Sequence, residues 1–293
     1  MSNQISPSPR RTLRDPVTFT GPGIHYAAEG VLEVHPSQNG GLHFMTAEGE
    51  RLPARWDHAV PEECDRRTVL RSKNGTVIEQ CEHILAALAA CGITDARLVQ
   101  TGPEPPFLGG GSKEFMKGLM AAGTRELAGA EIEPLAIDRP FAFRDGDAYL
   151  MATPHAGLLL SCFVEFPNTV VGSMGVTVEI TAENFLDEAA PARTFAREAD
   201  IDALKKMGLA RGGNLDNAVV FTQHGYRNPK LHFPDEVARH KIIDLLGDLA
   251  LIGRPLRGHF WAWRAGHRSH VRFAHALIKE FSREHSAHDH QPR

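Results

Sequence analysis

Apolar and polar residues alternate over Gly30–Val34 and again over Gly40–Met45, so the chain predicts a half-buried sheet near its N-terminus. Asn74-Gly75 predicts a tight turn. A helix is predicted from Glu79 to Cys91, with Gly92 as its C-terminal cap. The Pro- and Gly-rich run from Thr101 to Ser112 is a loop, and a second helix is predicted over Lys113–Leu127. The chain turns loop-like at Ala130–Pro134, and strand patterns resume at Pro140–Arg144, Ala148–Ala152 and Gly157–Phe166. Helix signals follow at Ala182–Leu186, at Asp200–Met207, around His240 and after His267. Strands, a turn and then helices occur in the same order in both halves. The expectation is an α+β fold of two similar domains, residues 1–131 and 132–280, followed by a polar, disordered tail over 281–293.

Composition narrows the class. With 42% hydrophobic and 23% charged residues, the chain reads as a soluble globular protein. A net charge of −4 with no dense Lys/Arg patch argues against a nucleic-acid partner. The longest apolar run, Gly157–Val164, is interrupted by Ser161 and falls far short of the roughly 18 residues of a membrane span. The first residues, MSNQISPSPRR, carry no apolar run, and a cytoplasmic location is expected. Cys64, Cys81, Cys91 and Cys162 form no CxxC pair and read as reduced thiols; neither Cys81 nor Cys162 carries the signature of a nucleophile. His285, His288 and His290 sit in the tail and read as inert.

Four constellations could carry chemistry. In RHKIIDLLGDL, His240, Asp244 and Asp248 recur every fourth residue and share one helix face, with Ile242, Leu245, Leu246 and Leu249 on the other flank. Pro234-Asp235 marks the start of that helix, and Gly253 with Pro255 its end. Such a stripe is either a solvated face or the wall of a metal-bearing cleft. Adjacent Glu82 and His83 point about 100° apart on a helix, so one could bind a metal while the other reaches a nearby water; an exposed pair is the plainer reading. His267 in Arg264-Ala265-Gly266-His267 could be a general acid or an idle loop residue. In Arg193-Thr194-Phe195 the Thr194 hydroxyl could face an oxyanion, although the tripeptide alone says little. No segment meets a phosphate-loop fingerprint, since Gly109–Ser112 lacks the lysine.

Taken in order, Arg11-Thr12-Leu13, Gly23-Ile24-His25, EHILAALAACGI, PEPPFLGGGS, RTF, GLARGGNLDNAVV, LHFPDEVARHKIIDLLGDL and AGH resemble the UDP-3-O-acyl-N-acetylglucosamine deacetylases of lipid A biosynthesis. The matching segments span about residues 11 to 270. The resemblance implies two α+β domains, each a sheet layered on helices, with the active site between them. It implies one catalytic zinc ion held by His83, His240 and Asp244. It assigns Glu82 as general base, His267 as the acid facing the leaving amine, Asp248 as its orienting carboxylate, and Thr194 as an oxyanion donor. Lys241, Arg264, Phe195 and His25 match substrate-side positions. The implied substrate is a UDP-linked acylated amino sugar, with a monomer as the expected state. This chain departs from the family pattern at Gly109-Gly110-Gly111, at Ala196-Arg197, at Asn214 and at Glu79-Gln80-Cys81. All of these lie on the substrate side of the site, and Arg197 in place of an aromatic is expected to narrow or polarise the acyl passage.

Overall fold

The computed structural model describes residues 6–38, 40–46 and 49–282, and the tail histidines His285, His288 and His290 lie outside them. The predicted alternation is present: along Glu29–Pro36 the residues Gly30, Leu32 and Val34 point inward. That strand belongs to a five-stranded sheet ordered Val17–Pro22, Glu29–Pro36, Ala96–Thr101, Leu42–Met45, Arg51–Pro53. The C-terminal half builds a sheet along the path Phe141–Asp145, Ala148–Thr153, Leu256–Trp263, Leu158–Phe166, Gly172–Glu179, joined off the path by Leu135–Ala136.

The two sheets have one topology. Along these five-strand paths the last strand in sequence inserts at the centre, pairs antiparallel with the second and parallel with the third, while the remaining pairs on the path are antiparallel hairpins; the off-path Leu135–Ala136 pairs parallel with the central Leu256–Trp263. Even the central core row corresponds. Val34, Leu98 and Phe44 lie side by side across one sheet, and Ala152, Phe260 and Leu160 across the other, all fully buried.

In each half a helix enters the central strand and another leaves it. The first pair is α1 (Glu82–Ala90) and α2 (Lys113–Ala122). The second half adds α3 (Ala182–Glu188) and α4 (Glu198–Lys206), then supplies its own pair, α5 (Glu236–Ala250) and α6 (His267–Phe281). α1 and α5 pack directly on each other at the centre of the molecule, and the fold is α+β with two halves of one design.

Close approach of these helices requires Gly247. A Cβ there would lie 2.1 Å from the Glu82 carbonyl oxygen, so no larger residue fits without separating α5 from α1. α5 is buried along nearly its whole length, which takes His240, Asp244 and Asp248 into the interior and excludes the solvated-face reading.

Two boundaries differ from the sequence pattern. α1 begins at Glu82 rather than Glu79, because Val77–Glu79 is the second strand of a hairpin with Val69–Arg71 around the Asn74-Gly75 turn. α2 stops at Ala122, where Gly123 adopts a φ of 68°, and Thr124–Ile132 becomes a strand paired with Ser8–Leu13. Local helix propensity there yields to hydrogen bonds offered by a partner more than 100 residues away.

Candidate active site

α1 presents His83 from its first turn, and α5 presents His240 and Asp244 from consecutive turns. The three buried ligand atoms lie within 4.8 Å of one another. His240 Nε2 is 3.3 Å and His83 Nε2 3.9 Å from Asp244 Oδ1. Burial, with His240 beside it, lowers the His83 pKa to about 3, and burial also lowers that of His240. Both rings are therefore neutral and hold a lone pair. His240 Nδ1 donates to the Ala192 carbonyl at 3.0 Å, which fixes the tautomer and leaves Nε2 as the electron-pair donor. Asp244 Oδ2 accepts a hydrogen bond from Lys241 Nζ at 2.7 Å, whereas the buried Oδ1 has no partner. Burial opposes ionisation of Asp244, but the Lys241 ammonium and the charged His267 hold its pKa well below the usual carboxylate range.

An anionic oxygen buried without a partner between two imidazole nitrogens is costly unless a cation completes it. Two nitrogens and one carboxylate oxygen, with second-sphere bonds already made, fit a zinc-type site with an open fourth position.

The neighbouring cluster is built differently. Asp248 Oδ2 accepts from His267 Nδ1 and His270 Nδ1, both at 2.8 Å, and its Oδ1 accepts from the Thr68 hydroxyl. Burial works against a charged His267, but the Asp248 and Asp244 carboxylates outweigh it and raise its pKa to about 9. Glu82, almost completely buried, has a pKa raised to about 7 by burial, with His267 opposing and Asp248 and Asp244 adding to the rise. Its Oε2 accepts from the Thr68 backbone N–H at 3.0 Å, so Thr68 links Glu82 to Asp248.

The loop that holds His240 is itself clamped. Arg193 forms a bidentate buried pair with Glu236 in the first turn of α5, at 2.8 and 3.1 Å, and also donates to the Leu215 and Lys230 carbonyls. This carries the Ala192 carbonyl to His240 and sets Thr194 and Phe195 on a short strand, Thr194–Arg197, beside α5. The Phe195 ring meets the His240 ring edge-on at 5.9 Å.

The structure thus brings Glu82, His83, His240, Lys241, Asp244, Asp248 and His267 into one buried cluster, bordered by Phe195. Arg264 stands apart: its guanidinium, half-exposed, lies 3.7 Å from Asp147 and 3.6 Å from Glu165. His25 is buried beside Glu104, whose carboxylate accepts its backbone N–H; burial and Arg67 lower its pKa to about 4, and its Nε2 has no partner. Arg197 is exposed and paired with Asp200, on the surface rather than in an apolar passage. Gly110 and Gly111 press on the Asn217 and Ala190 carbonyls, at distances of 1.8 and 2.4 Å from an added Cβ, so both pack the loop closely.

Thr68, His270, Gly247 and the Ala192 carbonyl are site components that sequence reading missed. His270 follows His267 by one helical turn, and that spacing was the available signal.

The comparisons with known proteins agree with this geometry. Residues 10–279 match the family described as LpxC, UDP-3-O-acyl N-acetylglycosamine deacetylase. The chain is 36% identical over 275 residues to the UDP-3-O-acyl-N-acetylglucosamine deacetylase of Leptospira biflexa, covering 92% of this chain and 90% of that one. Its identity to the Synechocystis sp. deacetylase is 34% over 277 residues, covering 92% and 99% of the two chains. With the Geotalea uraniireducens deacetylase it is 35% over 274 residues, covering 92% and 88%. A match across nearly the whole chain, over the residues that build the cluster, shows that the chain belongs to the UDP-3-O-acyl-N-acetylglucosamine deacetylase family.

Proposed function

We propose that the protein hydrolyses the N-acetyl group of a UDP-3-O-(3-hydroxyacyl)-N-acetylglucosamine, releasing acetate and UDP-3-O-acyl-glucosamine, an early step of lipid A biosynthesis. The observation that carries this reading is the unpartnered Asp244 Oδ1 between two neutral imidazoles, with a buried carboxylate and a charged imidazole beside it. His83, His240 and Asp244 would hold one zinc ion, which supplies Lewis acidity that polarises an acetamide carbonyl and acidifies water.

The chain's own groups then divide the proton work. Glu82, as a carboxylate held by the Thr68 N–H, removes the proton from the attacking water. His267, charged through its bond to Asp248, donates its Nε2 proton to the nitrogen of the departing amine, without which the C–N bond does not break readily. Thr194 offers a hydroxyl to the oxyanion that develops on the carbonyl. Lys241 neutralises and orients Asp244 rather than reaching for substrate. The aromatic group of Phe166, Phe195 and Phe221 next to His240 supports an apolar acyl chain on that side, and His25 and Arg264 are the residues proposed to meet more distant parts of the substrate.

Every proposed catalytic group comes from one chain, which supports action as a monomer. No helix among the described residues is long and apolar enough to cross a membrane, and four free cysteines agree with a reducing, cytoplasmic setting.

The test is mass-spectrometric detection of acetate loss from UDP-3-O-(3-hydroxyacyl)-N-acetylglucosamine, with and without a chelator. Chelator-sensitive loss of one acetyl group is the expected result. Equal turnover of the sugar lacking the 3-O-acyl chain would refute the assigned substrate, and loss unaffected by chelator would refute the metal.

A further inference from the structure

A second concavity, of about 760 Å³, opens between the two halves where α1 and α5 end. It lies on the far flank of α5 from the metal triad: Leu246 and Ala250 face it, and these stand roughly 200–240° around the helix from Asp244. From α1 it takes Ala89 and Ala90, two turns beyond His83. None of the cluster residues described above lines it.

Its lining has a particular chemistry. Arg10, Arg51, Arg55, Arg254 and Arg257 contribute five guanidiniums, and no Asp, Glu or Lys contributes. Arg10 and Arg55 are neutralised by Asp95 and Asp57. Among the described residues Arg254 donates only to the uncharged Ser282 hydroxyl, and neither Arg254 nor Arg257 has a carboxylate within ion-pair distance. The two helix C-termini offset at most about half a charge each, so the cleft keeps a positive balance. Between the arginines the walls are apolar, with Leu42, Ile93, Leu158 and Ile180 from both halves. A cavity of this size with an apolar body and a few convergent polar groups has the form of a small-molecule site. Guanidiniums without carboxylates select planar or tetrahedral oxyanions by paired hydrogen bonds.

We propose that this cleft binds an anionic amphiphile, a molecule with a phosphate or carboxylate head on Arg254 and Arg257 and an acyl-sized apolar body against the Leu42, Ile93 and Leu158 walls. The site is separate from the metal triad, and the inference stands whether or not the proposed reaction is correct.

Calorimetric titration of the full-length, metal-loaded protein tests it, with decyl phosphate and decanoate as the two possible head groups and inorganic phosphate and uncharged decyl maltoside as partial probes. One saturable site for at least one anionic amphiphile is expected, tighter than either partial probe by about tenfold or more. The pair R254E and R257E should weaken that binding by about tenfold or more, with zinc content and melting temperature unchanged. Ala250→Phe, which fills the cleft and keeps the arginines, should abolish it. Wild-type binding in both variants would place the amphiphile elsewhere and overturn the proposal. So would equal affinity for decyl maltoside, equal affinity for inorganic phosphate, or no saturable binding.

Discussion

Two buried triads of the same composition, two histidines and one aspartate each, sit side by side along α5, and the proposed function gives them different tasks. His83, His240 and Asp244 leave an anionic oxygen unpartnered between two neutral imidazoles. In Asp248, His267 and His270 the carboxylate itself is spent: it accepts three hydrogen bonds, both imidazoles use Nδ1 as a donor toward it, and the buried atom left without a partner is a ring nitrogen, His270 Nε2, rather than an anionic oxygen. Residue type does not distinguish a metal site from a proton relay. What distinguishes them is which polar atoms the surrounding fold has already satisfied. Lys241 and the Ala192 carbonyl occupy the outer atoms of the first triad and leave its inner atoms free, whereas Thr68 closes the second.

The contrast can be broken at Glu82, which belongs to neither triad but touches the relay through Thr68. Glu82→Gln should keep zinc and lose roughly 10²–10⁴-fold in kcat; loss of zinc instead would make Glu82 a ligand. Lys241→Met strips the outer bond from Asp244 and should weaken zinc affinity by about 10–100-fold, measured by competition with a chromogenic chelator. Unchanged affinity would mean Lys241 serves substrate rather than Asp244.

The relay predicts a pH profile. In the proposed mechanism activity needs Glu82 ionised, so it should be lost as pH falls through a pKa of about 7, and it needs His267 protonated, so it should be lost as pH rises through about 9. A bound cation adds positive charge near both groups and moves both limbs downward. Asp248→Asn removes the strongest influence raising the His267 pKa and should move the alkaline limb to lower pH; an unmoved limb would show that His267 is not the acid. The smallest effect is steric. Gly247→Ala drives a methyl against the Glu82 carbonyl and should cost about 1–3 kcal/mol of stability in denaturant unfolding, without removing any ligand.

Legibility followed the range of the interactions. His240, Asp244 and Asp248 were readable because a four-residue spacing on one helix is a local fact, and the burial of α5 only decided between two open readings. His83 and Glu82 were visible as a pair, but nothing local showed that α1 meets α5 at Gly247. Thr68 carries no motif, and it matters because a hairpin delivers its N–H to Glu82 and its hydroxyl to Asp248 across 180 residues. The likeness of the two halves was readable as an order of elements. The shared insertion of the last strand at the sheet centre was not, since strand order is set by pairing between distant segments. The same cause turned the expected end of α2 into the strand Thr124–Ile132.

The central claim is that one triad holds metal and the other holds protons. Elemental analysis of zinc in purified wild type, Asp244→Ala and Asp248→Asn tests it most directly. The account predicts one zinc per chain in wild type, near-complete loss in Asp244→Ala and full retention in Asp248→Asn. Zinc retained without Asp244, or lost with Asp248→Asn in a folded protein, would contradict it.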